Sequence, residues 1–180
     1  MSRGPRCGQD GTRVLPPLTG LRVIAAALVV LAVACTGGDG SADGPCGPVR
    51  REALDPRSVH VLPGADAPDY RTDPPTSGPH LPSPSTESVR TEPLAPPVQV
   101  GILEEGGVLI QHTGLTAPEE DEVEGLAAAG VVIAPADSLP DGAAVMATAW
   151  VTKQACDAVD VPALQTFVDD HLDDGPGGHP

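Results

Sequence analysis

Hydrophobic positions fall unevenly along the chain. Val23 to Ala34 is an unbroken apolar run of twelve residues, residues 46–97 are Pro-rich and polar with little periodicity, and regular patterning begins at residue 98. There, Val98–Leu103 and Val108–His112 read as two strands, and Glu104-Glu105-Gly106-Gly107 between them predicts a tight hairpin whose glycines supply positive φ. Thr116-Ala117-Pro118-Glu119 is a capping-box signature with Pro in the first turn. The helix it opens directs Val123, Leu126 and Ala127 inward and stops near Gly130. Val131–Ala134 is a short buried strand closed by Pro135, and Leu139–Gly142 is a turn. From Ala143 to Val151, Val145, Ala147, Ala149 and Val151 alternate with Met146, Thr148, Trp150 and Thr152, the pattern of a strand with two different faces. Asp160 caps a last helix with Pro162 in its first turn, and Leu164, Phe167, Val168 and Leu172 line its buried stripe. Strand, strand, helix, strand, strand, helix predicts an α+β fold: a small mixed or antiparallel sheet of about four strands covered by two helices, with the Pro-rich extended segment packed on it.

The early apolar run changes the expected domain organisation. Arg3, Arg6, Arg13 and Arg22 precede it, it is short for a bilayer span, and it ends Leu31-Ala32-Val33-Ala34-Cys35. Small residues before a cysteine resemble a bacterial lipobox, with Ala32 where such boxes more often carry Leu. The resemblance implies cleavage before Cys35 and acylation there by palmitate-type chains, each buried methylene contributing about 0.8 kcal/mol. Two other readings remain open: an ordinary secretory signal cut after Ala34, and an uncleaved anchor. No Arg-Arg pair marks twin-arginine export. The expected segments are a leader at 1–34, a flexible tether at 35–45, one domain at 46–174 (loop segment 46–97, regular core 98–174) and a disordered tail at 175–180.

Charge narrows the partners. The formal charge is −15, and residues 1–34 hold four Arg against Asp10, so the mature chain carries about −18. Such a chain repels nucleic acid and anionic headgroups, so no nucleic-acid partner is expected and the membrane is met through lipid alone. With Cys7 in the leader and Cys35 acylated, Cys46 and Cys156 remain as an even pair in an oxidising compartment, where a disulfide is the simplest account. The rival is a metal or redox thiol pair; neither cysteine sits in a C-x-x-C or a zinc spacing. Aromatic residues make up only 2% of the chain, so the core must be built from Val, Leu, Ile and Ala.

Tyr70 to His80 holds three prolines and a glycine in eleven residues, which excludes a helix or an inner strand. Together with Ser58-Val59-His60-Val61, the segment Gln99 to His112, Ala147-Thr148-Ala149-Trp150 and the helix bearing Leu164 and Phe167, it resembles a bacterial envelope family, domain of unknown function 3105, over roughly residues 50–172. The motif residues are Tyr70, Pro74, Pro75, Thr76, Ser77, Gly78, Pro79, His80, Glu104, Gly106 and Trp150. The resemblance implies export, frequent membrane anchoring and no assigned activity. Many members carry a motif like His-Ser-Leu-Glu-His-Gly where this chain has Gly101-Ile102-Leu103-Glu104-Glu105-Gly106. Glu104 and Gly106 match; both histidines are replaced, which weakens a family metal role here unless Glu105 rebuilds it.

His60, His80, His112, Glu104 and Glu105 form the one cluster with chemistry to offer. If the loop folds over the hairpin, His80 approaches the two glutamates, an imidazole–carboxylate set suited to zinc or copper. The bland account is that His80 satisfies loop carbonyls and Glu104 caps the turn, and no HExxH or similar ligand spacing is present. Ser77 lies outside any G-x-S-x-G elbow, so hydrolase chemistry has little support. Met146 and Trp150 share a strand face and read as core packing, with an exposed Trp the alternative of a binding anchor. Glu119–Glu122 reads as helix-dipole compensation, and Asp169, Asp170, Asp173 and Asp174 as a solvated face, with weak calcium binding lacking EF-hand order. The expectation is a non-enzymatic lipid-anchored binding or accessory module without a cofactor, its protein or small-molecule partner unidentified; metal binding through His80 is the alternative.

Overall fold

The computed structural model describes residues 44–65, 68–82, 84 and 87–177. The leader, Cys35 and most of the tether read from the sequence lie outside them. The elements are β1 (Arg50–Arg51), α1 (Pro96–Glu104), β2 (Val108–His112), α2 (Ala117–Glu124), β3 (Val131–Pro135), β4 (Val145–Ala149), β5 (Thr152–Cys156) and α3 (Val161–His171). The class is α+β, with five strands and three helices among the described residues rather than the expected four and two.

The sheet runs in the order β1-β5-β4-β2-β3. β2 and β3 are parallel, joined by the crossover through α2, while β2–β4, β4–β5 and β5–β1 are antiparallel. Period-two alternation sends side chains to opposite faces. Val108, Ile110, Val131, Ile133, Val145 and Ala147 pack with Val123 and Leu126 of the α2 region and Leu164, Phe167 and Val168 of α3. Leu109, Val132 and Ala134 face the other way, against Leu94 and α1 residues Ile102 and Leu103. Both faces are covered, so β2 is buried along its whole length.

Three sequence expectations are corrected. Residues 98–103 are not a strand but the body of α1, buried from Gln99 to Leu103. A short apolar run has no decisive period, and the helix is marked instead by Pro96 and Pro97, whose fixed φ suits a first turn. Glu104–Gly107 is accordingly not a hairpin but a helix stop. Gly106 N–H donates to Leu103 O (3.1 Å) and Gly107 N–H to Ile102 O (2.9 Å), with Gly106 at φ 89°, the two bonds of a Schellman motif. The strand expected over 143–151 ends at Ala149; the chain reverses through Trp150 and Val151 into β5, which the sequence pattern did not reveal.

Cys46 and Cys156 form the expected disulfide, closing a sequence separation of 110 residues. It fastens the start of the domain beside the β1–β5 ladder, where Gly47 N–H reaches Ala155 O at 2.8 Å. At the other end, Gly177, placed in the tail expected to be disordered, donates to Glu104 O at 2.8 Å.

Candidate functional site

The Tyr70–His80 loop is held from three sides. Val151 N–H donates to Thr76 O (3.0 Å), which seats the loop on the β4–β5 turn. Leu81 N–H donates to Pro97 O (2.9 Å), tying its end to the start of α1. On the third side lies the segment Asp55–Val61. Asp55 N–H donates to Ser77 Oγ (2.9 Å), and His60 and His80 lie in a short parallel bridge, with His80 N–H to Val59 O at 3.0 Å and Val61 N–H to His80 O at 2.8 Å. The loop thus covers the β4–β5 turn and one side of α1, not the hairpin expected at Glu104–Gly107.

Asp55 is the electrostatic centre of this packing. Its Oδ1 accepts from Arg57 backbone N–H (2.9 Å) and Nε–H (3.0 Å), and its Oδ2 from Nη2–H (2.7 Å). Hydrogen bonding and charge from Arg57 outweigh burial and hold the Asp55 carboxyl down at about 2. Arg57 also donates to Asp69 O (2.7 Å), fixing the loop's approach. Tyr70 donates its hydroxyl to Pro79 O (2.7 Å), and burial, then the Asp55 charge, pushes the phenol up to about 12. The sequence offered Asp55-Pro56 only as a turn; nothing in the spacing showed that its carboxylate would meet Arg57 under the loop.

Of the five candidate ligands, three come together. His80 is buried at 3% exposure, and its Nδ1 lies 2.9 Å from Gly78 O, so Nδ1 carries the proton. Its Nε2 has no hydrogen-bond partner and sits 4.0 Å from Glu104 Oε2 in the last turn of α1. The exposed His60 ring stands edge-on to His80, centroids 5.0 Å apart. His112 is elsewhere: it lies at the far end of β2 from Glu104 and lines a cleft with Arg90, Glu120 and Glu124. Glu105 faces a separate cleft with Pro84, Ser88 and Gly130. Among the described residues, no group of three His, Cys, Asp or Glu is arranged to hold a metal.

The remaining candidates have packing roles. Ser77 is buried as the acceptor for Asp55 N–H. Trp150 is half-buried against the cluster of Leu94, Ile102 and Leu103, while Met146 packs with Leu139 and Ala143. Glu119 accepts from Thr116 Oγ1–H (2.6 Å) and Thr116 N–H (2.8 Å), and these bonds, the side-chain one foremost, lower its pKa. Gly101, where the resemblance places histidine in relatives, lies against Leu81 and Pro84: a Cβ there would collide with Leu81 O and the Pro84 ring.

The family described as "Protein of unknown function (DUF3105)" matches residues 64–179, from just before the Tyr70 loop into the C-terminal tail. The chain belongs to this family. The match takes in the loop, α1, Trp150 and α3, and leaves Asp55–His60 outside it. No curated protein and no solved structure matches the chain. Within this DUF3105 protein, the motif residues divide their work: Thr76 and Ser77 accept hydrogen bonds from neighbouring segments, Pro79 O accepts from Tyr70 within the loop, and His80 approaches Glu104.

Proposed function

We propose that this DUF3105 protein is an exported, lipid-anchored component of the bacterial cell envelope, acting as a non-enzymatic binding or accessory module. The supporting observation from the structure is the Cys46–Cys156 disulfide, a bond that persists in oxidising compartments and spans most of the domain. The sequence supplies the rest: a basic n-region, an apolar run of twelve residues and Cys35 behind small residues. The anchor is tested by fractionating cells that express Cys35→Ala. Release from the membrane, or a block in processing, is expected; unchanged membrane retention of a fully processed chain sinks the anchor.

A second reading is favoured by one observation, the unpartnered Nε2 of a buried histidine facing a carboxylate. Zinc or copper bonds of about 2.0–2.2 Å to nitrogen and to oxygen fit a gap of that size once Glu104 moves slightly inward. The Nδ1–H bond to Gly78 O leaves Nε2 as the lone-pair donor. His80 and Glu104 are the two donors that approach one another, so solvent would fill the remaining positions of such a site. Metal analysis of the purified chain tests it: stoichiometric zinc or copper that is lost in His80→Ala supports it, and no uptake by the wild type removes it.

A further inference from the structure

β2 and β3 are the one parallel pair among the named strands of the sheet, joined through α2 in a strand–helix–strand unit. Residues 88–90 extend this parallel part outward: Ile133 N–H donates to Ser88 O at 2.7 Å and Arg90 N–H to Ile133 O at 2.8 Å. Open sheets with parallel strands take up ligands outside the carboxyl ends of those strands. Three such ends meet here. His112 is the last residue of β2, Pro135 is the last of β3, and Arg90 and Thr91 end the outer segment. Together with Glu120 and Glu124 of α2 they line a cleft of about 240 Å³.

His112 is buried at 6% exposure. Its ring makes no hydrogen bond within the described residues, yet neither ring nitrogen is sealed off from solvent. The imidazole therefore opens into the cleft. Arg90 behaves alike: its Nε is enclosed, while its Nη groups are open and join no hydrogen bond or ion pair within the described residues. Glu120 is half-buried and Glu124 exposed, four residues apart on α2. Like charges at that spacing repel, and Glu124 closes the helix at the end where its dipole disfavours a carboxylate. α2 thus carries two carboxylates that its own stability does not call for. Opposite charges line one cleft, and no ion pair joins them.

We propose that this cleft binds a small zwitterion, a compound carrying one ammonium group and one carboxylate, of the size of a free amino acid. Arg90 takes the carboxylate through its Nη groups, and Glu120 and Glu124 take the ammonium. His112 adds a hydrogen bond, since an imidazole offers a donor and an acceptor. A ligand with a single charge fits less well: a lone anion meets two carboxylates, and a lone cation meets the guanidinium. The acidic first turn of α2 also differs from the open helix starts that receive phosphate. Among the described residues no three His, Cys, Asp or Glu side chains are arranged to hold a metal, so the donors here suit an organic ligand. The volume lies just below that of drug-sized sites, about 300–1,000 Å³. The inference rests on the binding-module reading and gives it a ligand class.

The test titrates the full chain, wild type and Cys35→Ala, with L-alanine, β-alanine and 4-aminobutanoate by calorimetry. Propylamine and propionate serve as single-charge comparators. Saturable binding of at least one zwitterion, at least tenfold tighter than of either comparator, is the expected result. Arg90→Gln should weaken it by about tenfold, the effect of one hydrogen bond between charged groups, and so should the double variant Glu120→Gln, Glu124→Gln. Arg51→Gln, on β1 at the opposite edge of the sheet, should leave it unchanged. Arg90 is partly buried, so a second readout stays with the wild type: the His112 ring signals in NMR spectra should shift on saturation while those of the exposed His60 stay in place. Zwitterions that bind no tighter than propylamine or propionate, unchanged binding in either cleft variant, or a static His112 signal overturns the proposal. Chemical conversion of the bound zwitterion would remove the non-enzymatic reading and still support the site. Because Cys35→Ala is measured alongside, loss of the anchor leaves this result standing.

Discussion

Asp55 holds a negative charge at 1% exposure because three N–H groups of Arg57 converge on it. Its pKa of about 2, against an ordinary 3.8, means the folded state takes up this proton less readily than the unfolded chain. The contribution is present above about pH 4 and drains as pH falls towards 2. Arg57 is half open to water, so screening leaves only a small part of this contribution, at most about 1 kcal/mol. Asp55→Asn should lower stability by that amount at pH 7 and flatten the decline between pH 4 and pH 2, read from denaturant midpoints across that window. An unchanged acid limb in the variant counts against Asp55 as the source. Tyr70 acts with the opposite sign at the alkaline end: its contribution is full below pH 10 and lost as pH rises through about 12. At this scale the sequence offered loop carbonyls and Glu104 as neighbours of His80, and Gly78 O and Glu104 are what it meets, but it offered no partner for Ser77. Asp55 and Ser77 lie 22 positions apart, and no local spacing reports a contact made only when the loop closes.

α1 shows where pattern reasoning fails and what would have corrected it. Val98–Leu103 reads equally well as a buried strand or a buried helix, since nearly every side chain is covered either way. Pro96-Pro97 at the front and Gly106-Gly107 behind are start and stop signals for a helix, and read together they decide the case. α3 and the start of α2 were legible because their caps are ordinary: Glu119 and Asp160 make the expected bonds to the helix starts, but α2 ends at Glu124, capped by Gly125, before the stop expected near Gly130. β5 was hidden because Lys153 and Ala155 dilute its period and Val151, at φ 52°, turns the chain with a residue that rarely adopts that conformation. The stop signal carries a prediction. Gly106→Ala forces a side chain into the left-handed region and should cost about 1–2 kcal/mol, seen as a lower melting temperature. Gly101→Ala tests close packing instead. In an open helix the change would gain about 1 kcal/mol, but the Cβ here meets the Leu81 carbonyl, a backbone atom that cannot swing aside. Destabilisation is therefore expected from both, and a rise in melting temperature for Gly101→Ala would show that Leu81 and Pro84 do not rest on α1.

For the molecule as a whole, the balance is set by a core almost without aromatic residues, in which Phe167 is the one aromatic side chain fully buried among the described residues. Val, Leu, Ile and Ala fill both faces of the sheet, and an acidic surface adds self-repulsion to a formal charge of −15. A covalent constraint matters more in such a chain. The pairing of Cys46 with Cys156 was readable from the cysteine count and the expected compartment, while its neighbours were not: Cys46 stands opposite Cys156 beside β1 and β5, neither of which the sequence pattern disclosed. Loop-closure entropy over a separation of 110 residues gives about 4–5 kcal/mol, and measured disulfides commonly fall at 2–4. The double variant Cys46→Ala, Cys156→Ala should therefore unfold at a markedly lower denaturant concentration, with a loss of about 3 kcal/mol. β1 holds the strap by only two residue pairs on the edge of β5, and Arg50 and Lys153 are like charges placed opposite one another. That ladder is too weak to replace the bond, so hydrogen exchange at Gly47 and Glu52 should rise in the variant before exchange in β2 does. A loss below about 1 kcal/mol with those two amides still protected would show that the strap is held by the Asp55–Ser77 and Arg57–Asp69 contacts rather than by the disulfide.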